Sequence, residues 1–293
     1  MAMSTPNLDD LRRRIDEIDD QLHDLLMART EVVEAIAAQK RRGRLPPLRP
    51  GREAAILRRL VGRHSGKFPA AALVRMWREM LTAMVSMQTD FAVAVFVAGP
   101  GSGYWDLARD HFGSHSVMTP YRSVGQVIRA VTDGQATVGV LPLPEEDDRD
   151  PWWRLIVSED EATPRVLARL PFGGRGNARG DGADALVIGS GALEATGDDR
   201  SLVVVETRGD ISRARLFAEL GSASLPCSFF ASVEAGPGSR LNLLDIAGFV
   251  AGKDARLRRF ADRLDATVER IVVLGSYAAP LALGAGAGWS RRA

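Results

Sequence analysis

The chain has 293 residues, 45% hydrophobic and 26% charged, an ordinary globular composition whose length suits two or three domains. Its formal net charge of +1 gives no global attraction to nucleic acid or to an anionic membrane, and neither is expected as a partner. A lone cysteine, Cys227, excludes an internal disulfide. The opening MAMSTPNLDDLRRR lacks the apolar core of a signal peptide, and no stretch is long enough to span a bilayer, so the expected location is cytoplasmic.

From Leu8 the apolar residues fall at Leu8, Leu11, Ile15, Ile18, Leu22, Leu25, Leu26, Val33 and Ile36, one face of a long amphipathic helix. Asn7 is its candidate cap, Asp9 and Asp10 suit its first turn, and Gly43 with Pro46, Pro47 and Pro50 ends it. A helix of roughly 35 residues is about 50 Å long, more than two shorter helices of its own chain can cover, so the stripe asks for a second subunit. A second helix is expected over 52–61, and a third from Pro69 to beyond Gln88.

Near Phe91 the period shifts to short strands. AVAVFVAG reads as strand, 104–112 as helix, 116–120 as strand, 124–132 as helix and TVGVLPL as strand, an α/β pattern. Residues 144–200 are weakly patterned, with strand candidates at PRVLARL and ALVIG. From Ser201 the runs SLVVVET, DISRARLFAEL, CSFFASV, LLDIAGFV, ARLRRFADRL and RIVVLG read strand–helix–strand–strand–helix–strand, a ferredoxin-like split βαβ. The tail LALGAGAGWSRRA is expected to be loose. Gly99, Gly101 and Gly103 after a strand fit no full dinucleotide fingerprint, and Gly113 between His111 and His115 breaks the helix a shared metal face would need. No cofactor or metal is expected.

The runs LDDLRRRIDEIDDQLHDLLMARTEVVEAIAAQK, PGREAAILRRL and LVRMWREMLTAMVSMQ resemble the chorismate mutase domain that opens bifunctional chorismate mutase–prephenate dehydratases. The resemblance implies an all-α intertwined homodimer whose active site holds Arg12, Arg29, Lys40, Arg52, Glu53 and Gln88, with Arg12 lent to the partner's pocket. The reaction it implies, chorismate to prephenate, is a one-substrate pericyclic rearrangement. It needs a compact substrate conformer and stabilisation of charge growing on the ether oxygen. Guanidinium groups suit the two substrate carboxylates. Arg12 and Arg29 would take one each, Arg52 would add positive lining, Lys40 and Gln88 would donate to the ether oxygen, and Glu53 would accept from the ring hydroxyl. Arg29 and Lys40, eleven residues apart, share a helix face. Lysine is also notable at position 40 in a chain where only three of 38 basic residues are lysine. Two positions depart from the family pattern: the turn before the Arg52-Glu53 pair, in LRPGRE, is one residue shorter and has no acid ahead of that pair, and Met84 stands where the family often has a small hydroxyl residue.

The middle of the chain resembles a prephenate dehydratase domain, through VFVAGPGSGYWDLARDHFG and VGVLPLP, and the last third resembles the phenylalanine-binding ACT domain that follows it. Where that family has Pro-Ile-Glu-Asn-Ser this chain has Pro142-Leu143-Pro144-Glu145-Glu146. Its catalytic Thr-Arg-Phe aligns with Ala183-Asp184-Ala185, and a second lobe is missing between them. The expected organisation is a mutase domain over 5–90, a truncated dehydratase-like α/β domain over 91–198, a ferredoxin-like α+β (ACT-like) domain over 199–282 and a tail over 283–293. An aromatic amino acid is a candidate effector of the ACT-like domain. Alternatives are a bifunctional mutase–dehydratase and a non-catalytic regulatory protein of aromatic amino-acid biosynthesis.

Overall fold

Asn7 caps the first helix as its sequence suggests, its Oδ1 accepting from the Asp10 backbone N–H at 2.8 Å. That helix, α1, runs Leu8–Gly43 in a computed structural model that describes residues 7–43, 46, 48–99, 103–174, 184–191, 193–209 and 211–283. Along α1 the apolar stripe faces outward: Leu8, Leu11, Ile15, Ile18, Leu22 and Leu25 are 45–67% exposed, and among the described residues of the helix only Ala37 is buried. A helix this apolar on one side is stable in water only when that side is covered.

Two shorter helices follow. α2, Pro50–Arg63, places a proline in its first turn, where the missing N–H costs nothing. α3 spans Ala70–Ser86. Gln88 therefore lies past the helix rather than inside it. After Ser86 the backbone N–H groups of Gln88 and Thr89 both turn back to the Val85 carbonyl, at 2.9 and 3.2 Å, and the chain is drawn off to bury Phe91 beneath the first strand. α2 and α3 sink Ala54, Leu57 and Val74 against Phe172 and Ala278, which docks the helix pair on the rest of the molecule.

That remainder is one nine-stranded sheet, ordered β2-β1-β3-β5-β4-β9-β6-β8-β7. The strands are β1 Ala92–Phe96, β2 Val117–Tyr121, β3 Val138–Pro142, β4 Arg165–Leu170, β5 Ala185–Gly189, β6 Asp199–Arg208, β7 Cys227–Gly236, β8 Ser239–Ala247 and β9 Val268–Ala278. Helices α4 (Gly103–Phe112) and α5 (Val124–Thr132) connect the parallel strands β1, β2 and β3. Helices α6 (Arg213–Ser222) and α7 (Ala255–Leu264) complete a β6-α6-β7-β8-α7-β9 unit with antiparallel order β9-β6-β8-β7. That is the split βαβ arrangement the periodicity predicts. The strand expected to continue through Val250 stops at Ala247, because Gly248 turns with φ +93° and donates its N–H to Asp199. A 3-10 helix at Trp152–Ile156, unforeseen in the weakly patterned stretch, buries Trp152, Trp153 and Ile156.

The two halves meet where β4 pairs in parallel with β9 at Val166 and Gly275. A Cβ on Gly275 would lie 2.1 Å from the Val166 carbonyl oxygen, so only glycine permits this approach. One core layer runs across the join, with Leu141, Leu186 and Ile188 from one half packed into the same cluster as Leu202, Leu243 and Leu274 from the other. Gly101, Ala183 and the tail over 284–293 lie outside the described residues. Among the described residues no helix is long and apolar enough to cross a membrane.

Candidate active site

Arg29 and Lys40 share the face of α1 that turns toward α2 and α3. Arg29 is partly buried, which draws its guanidinium pKa down, and its Nη1 rests on the Met84 sulfur. Met84 is buried on the last turns of α3, one helical turn before Gln88. The Gln88 amide folds back over the helix end, with Nε2 donating to the Met84 carbonyl at 2.8 Å. Its Oε1 is buried and finds no partner among the described residues, and Nε2 keeps a second N–H. Arg29, Met84 and Gln88 thus form one cluster.

The second cluster lies near the α1 C-terminus. Lys40 is held below the usual lysine pKa by burial and by Arg49, while Glu53 and Glu194 pull the other way. Glu53, in the first turn of α2, is raised above the usual carboxylate range by burial, against the pull of Arg78 and Lys40. Arg78 Nη1 donates to Glu53 Oε2 at 2.8 Å, both side chains being almost fully enclosed, and its guanidinium lies 5.2 Å from the Phe172 ring centroid. Burial of Arg78 lowers its own pKa, offset by Glu53. Arg49 donates through Nε to Glu194 at 3.0 Å, and Arg58 reaches Thr196 Oγ1 and the carbonyls of Asp198 and Ala279. The segment joining β5 to β6 therefore wraps the start of α2.

Of the six residues singled out from the sequence, the fold sets Arg29 and Gln88 both against Met84 and Lys40 within electrostatic reach of Glu53. Arg52 is exposed on α2. Arg12 is exposed far along α1, 3.4 Å from Asp9, and reaches none of the others within its own chain. Three neighbours escaped sequence reasoning. Arg78 had a signal, a charge set within the apolar run AALVRMWREMLTAMV. Arg49 and Glu194 had none, since 145 residues separate them. Glu194 nonetheless sets a carboxylate against Arg49, in the turn that has no acid ahead of the Arg52-Glu53 pair. Among the described residues no group of three or more His, Cys, Asp or Glu side chains could hold a metal ion.

The long arm α1 carries an outward apolar stripe, and Arg29, Lys40, Glu53, Arg78 and Gln88 lie where it meets α2 and α3. Residues 11–89 match the chorismate mutase type II family, and the N-terminal region is a domain of that type. The bifunctional chorismate mutase/prephenate dehydratase of Pseudomonas aeruginosa is 28% identical over 138 residues, which cover 45% of this chain and 38% of that protein. The Aquifex aeolicus protein of the same name is 30% identical over 141 residues, 46% of this chain and 38% of its own. The matched segment thus spans 38% of the length of these curated relatives. Among solved structures, a prephenate dehydratase from Arthrobacter aurescens in complex with L-Phe aligns with TM-score 0.48 and 16% identity, over 67% of this chain and 94% of that one. One from Streptococcus mutans aligns with TM-score 0.45 and 14% identity, over 65% and 98%. Likeness at that level assigns neither an activity nor a ligand to this chain.

Proposed function

We propose that the protein is a chorismate mutase that works as an intertwined homodimer. The observation that carries this is the pairing of Arg29 with the Met84–Gln88 end of α3 and of Lys40 with Glu53 on α2, inside a domain of the mutase family. Arg29 supplies a guanidinium for one substrate carboxylate, and Arg52 adds positive charge at the rim. The second N–H of Gln88 and the ammonium of Lys40 donate to the ether oxygen, where charge grows as the C–O bond lengthens. That preference for the transition state over the ground state produces the rate. Glu53 accepts from the ring hydroxyl, steadied by Arg78.

The exposed stripe of α1 supports the dimer. Arg12 and Arg29 stand seventeen residues apart, about 26 Å of rise, too far for one chorismate to touch both on one chain. Two antiparallel copies of α1 bring each Arg12 to the other chain's Arg29. Purified protein should remove the absorbance of chorismate and yield prephenate. Stable chorismate in the presence of folded protein would favour a non-catalytic regulatory role, for which the Met84 side chain against Arg29 is the supporting observation. For the shared site, chains carrying Arg12→Ala and Arg29→Ala are unfolded and refolded as a mixture. Random pairing makes half the dimers mixed with one intact pocket each, so activity should return to about a quarter of wild type. No recovery despite proven subunit exchange refutes the shared site.

The bifunctional alternative, with dehydration of prephenate as well, draws on the names of the relatives and on the α/β half of the sheet. Against it stands the short path from Pro142 to Ala185, whose described residues hold one 3-10 helix and β4. No phenylpyruvate should form from prephenate beyond the uncatalysed background, and steady production would establish the second activity. The β6–β9 unit fits an ACT-like role, with an aromatic amino acid as its effector.

A further inference from the structure

A cavity of about 360 Å³ lies where the two halves of the sheet meet, with no residue of α1–α3 among those that line it. Leu143 and Pro144, which line it, follow the C-terminal end of β3, the end at which open α/β sheets bind ligands. The β6–β9 unit supplies the opposite wall. The volume suits a small organic molecule, and junctions between structural units are favoured places for such sites.

Four polar side chains, one from each of four strands, converge on it. Arg200 on β6 donates through Nε to Asp245 Oδ1 on β8 at 2.9 Å, and its outer nitrogen contacts the Ser228 hydroxyl on β7. Tyr277 on β9 donates its hydroxyl to Asp245 Oδ2 at 3.1 Å. Arg169 on β4 is tied to Asp184 at 2.9 Å, and it, like Arg200, also interacts with the Tyr277 hydroxyl. Two guanidiniums, Arg169 and Arg200, therefore line the cavity, the first paired with Asp184 and the second with Asp245. Each guanidinium carries five N–H donors, so the bonds above leave several available. Burial, with help from Asp245, pushes the Tyr277 phenol up to about 12, so it remains a donor at neutral pH. Leu143, Leu186, Leu202 and Phe229 make the other walls apolar.

We propose that this cavity binds a small carboxylate with an apolar tail, the carboxylate held by Arg169 and Arg200 and the tail by Leu143, Leu186 and Phe229. Each guanidinium keeps N–H groups beyond its own carboxylate partner, and two planar forks on one cavity match a carboxylate better than any neutral group.

The test uses the full chain, titrated calorimetrically with 3-phenylpropanoate, its neutral amide 3-phenylpropanamide, 2-phenylethylamine and L-phenylalanine. The carboxylates should bind, with the amide and the amine weaker by about tenfold or more. Tighter binding of L-phenylalanine than of 3-phenylpropanoate would support an amino-acid ligand whose ammonium meets Asp245, and the reverse order a carboxylate without one. Arg169→Gln should lower carboxylate affinity by about tenfold or more while leaving amide affinity unchanged. Ser228→Trp, at an exposed position on β7 beside the mouth, should block every ligand without removing a charge. Equal affinity for carboxylate and amide, absence of carboxylate binding at millimolar concentration, or binding untouched by both variants in folded protein overturns the proposal.

Discussion

Replacing Arg78 by methionine keeps roughly the length of the side chain and removes the charge that faces Glu53. In the native protein the two groups are 2.8 Å apart and almost wholly enclosed, their side chains only 5% and 12% exposed. Removing one partner of such a pair leaves a buried charge uncompensated, at a cost of about 3–5 kcal/mol. Loss of the guanidinium over Phe172 adds about 1 kcal/mol. Lys40 still attracts the Glu53 carboxylate, which places the expected total loss toward the lower end, about 4 kcal/mol. Replacing Glu53 by leucine in the same chain removes both charges and should recover most of that loss, since buried pairs are often matched by apolar side chains of similar volume. The sign of the pH dependence follows from the direction of the Glu53 shift. A carboxyl raised in the folded state favours folding at low pH and loses that contribution as pH rises through its folded value. The deficit of Arg78→Met should therefore shrink on acidification. Urea midpoints followed by tryptophan fluorescence, for both single variants and the double, give the coupling energy. A loss below about 1 kcal/mol in Arg78→Met, or strictly additive single effects, would show that the ion pair does not hold Glu53 in place.

Arg29→Ala should leave the protein folded yet lower kcat/KM for chorismate by at least about a hundredfold, because a carboxylate loses its charge-assisted partner; near-normal turnover removes Arg29 from the site. His111 is fully buried, and burial with nearby Arg78 depresses its pKa well below 6.5. A depressed histidine contributes stability above pH 6.5 that drains away as pH falls toward its folded value, at up to about 1.4 kcal/mol per pH unit. His111→Phe should flatten that acid slope in urea titrations, and an unchanged slope contradicts the assignment. Gly275→Ala sets a methyl carbon against the Val166 backbone and should cost about 3 kcal/mol or more by thermal unfolding, whereas a neutral result would mean that β4 and β9 do not pair as described.

Joining the two half-sheets changes how the C-terminal region must be understood. The shared core through Leu186, Leu202 and Leu274 and the strand pairing at Gly275 mean that neither half buries its surface alone. The loop wrapped on α2 through Glu194 and Thr196, with the Arg78–Phe172 contact, ties the mutase-type helices to the same body.

Much was legible in the chain itself wherever structure follows from local spacing. The cap at Asn7, the stop at Gly43, the helix over Val124–Thr132, the strand Ala185–Gly189 and the helix Ala255–Leu264 all come from periodicity and capping, which depend on residues a few positions apart. Spacing also puts Arg29 and Lys40 on one face of one helix, but it was the family resemblance that singled them out. What depends on chain segments meeting in space was not legible. Gln88 left the helix because the strand beyond it had to bury Phe91, and Arg49 found its acid 145 residues away. Arg169, Arg200, Asp245 and Tyr277 looked like ordinary surface or strand residues until four strands were laid side by side. Pairing charges across a sheet is decided by register and strand order, and those are set by the packing of the whole core rather than by any short run of sequence.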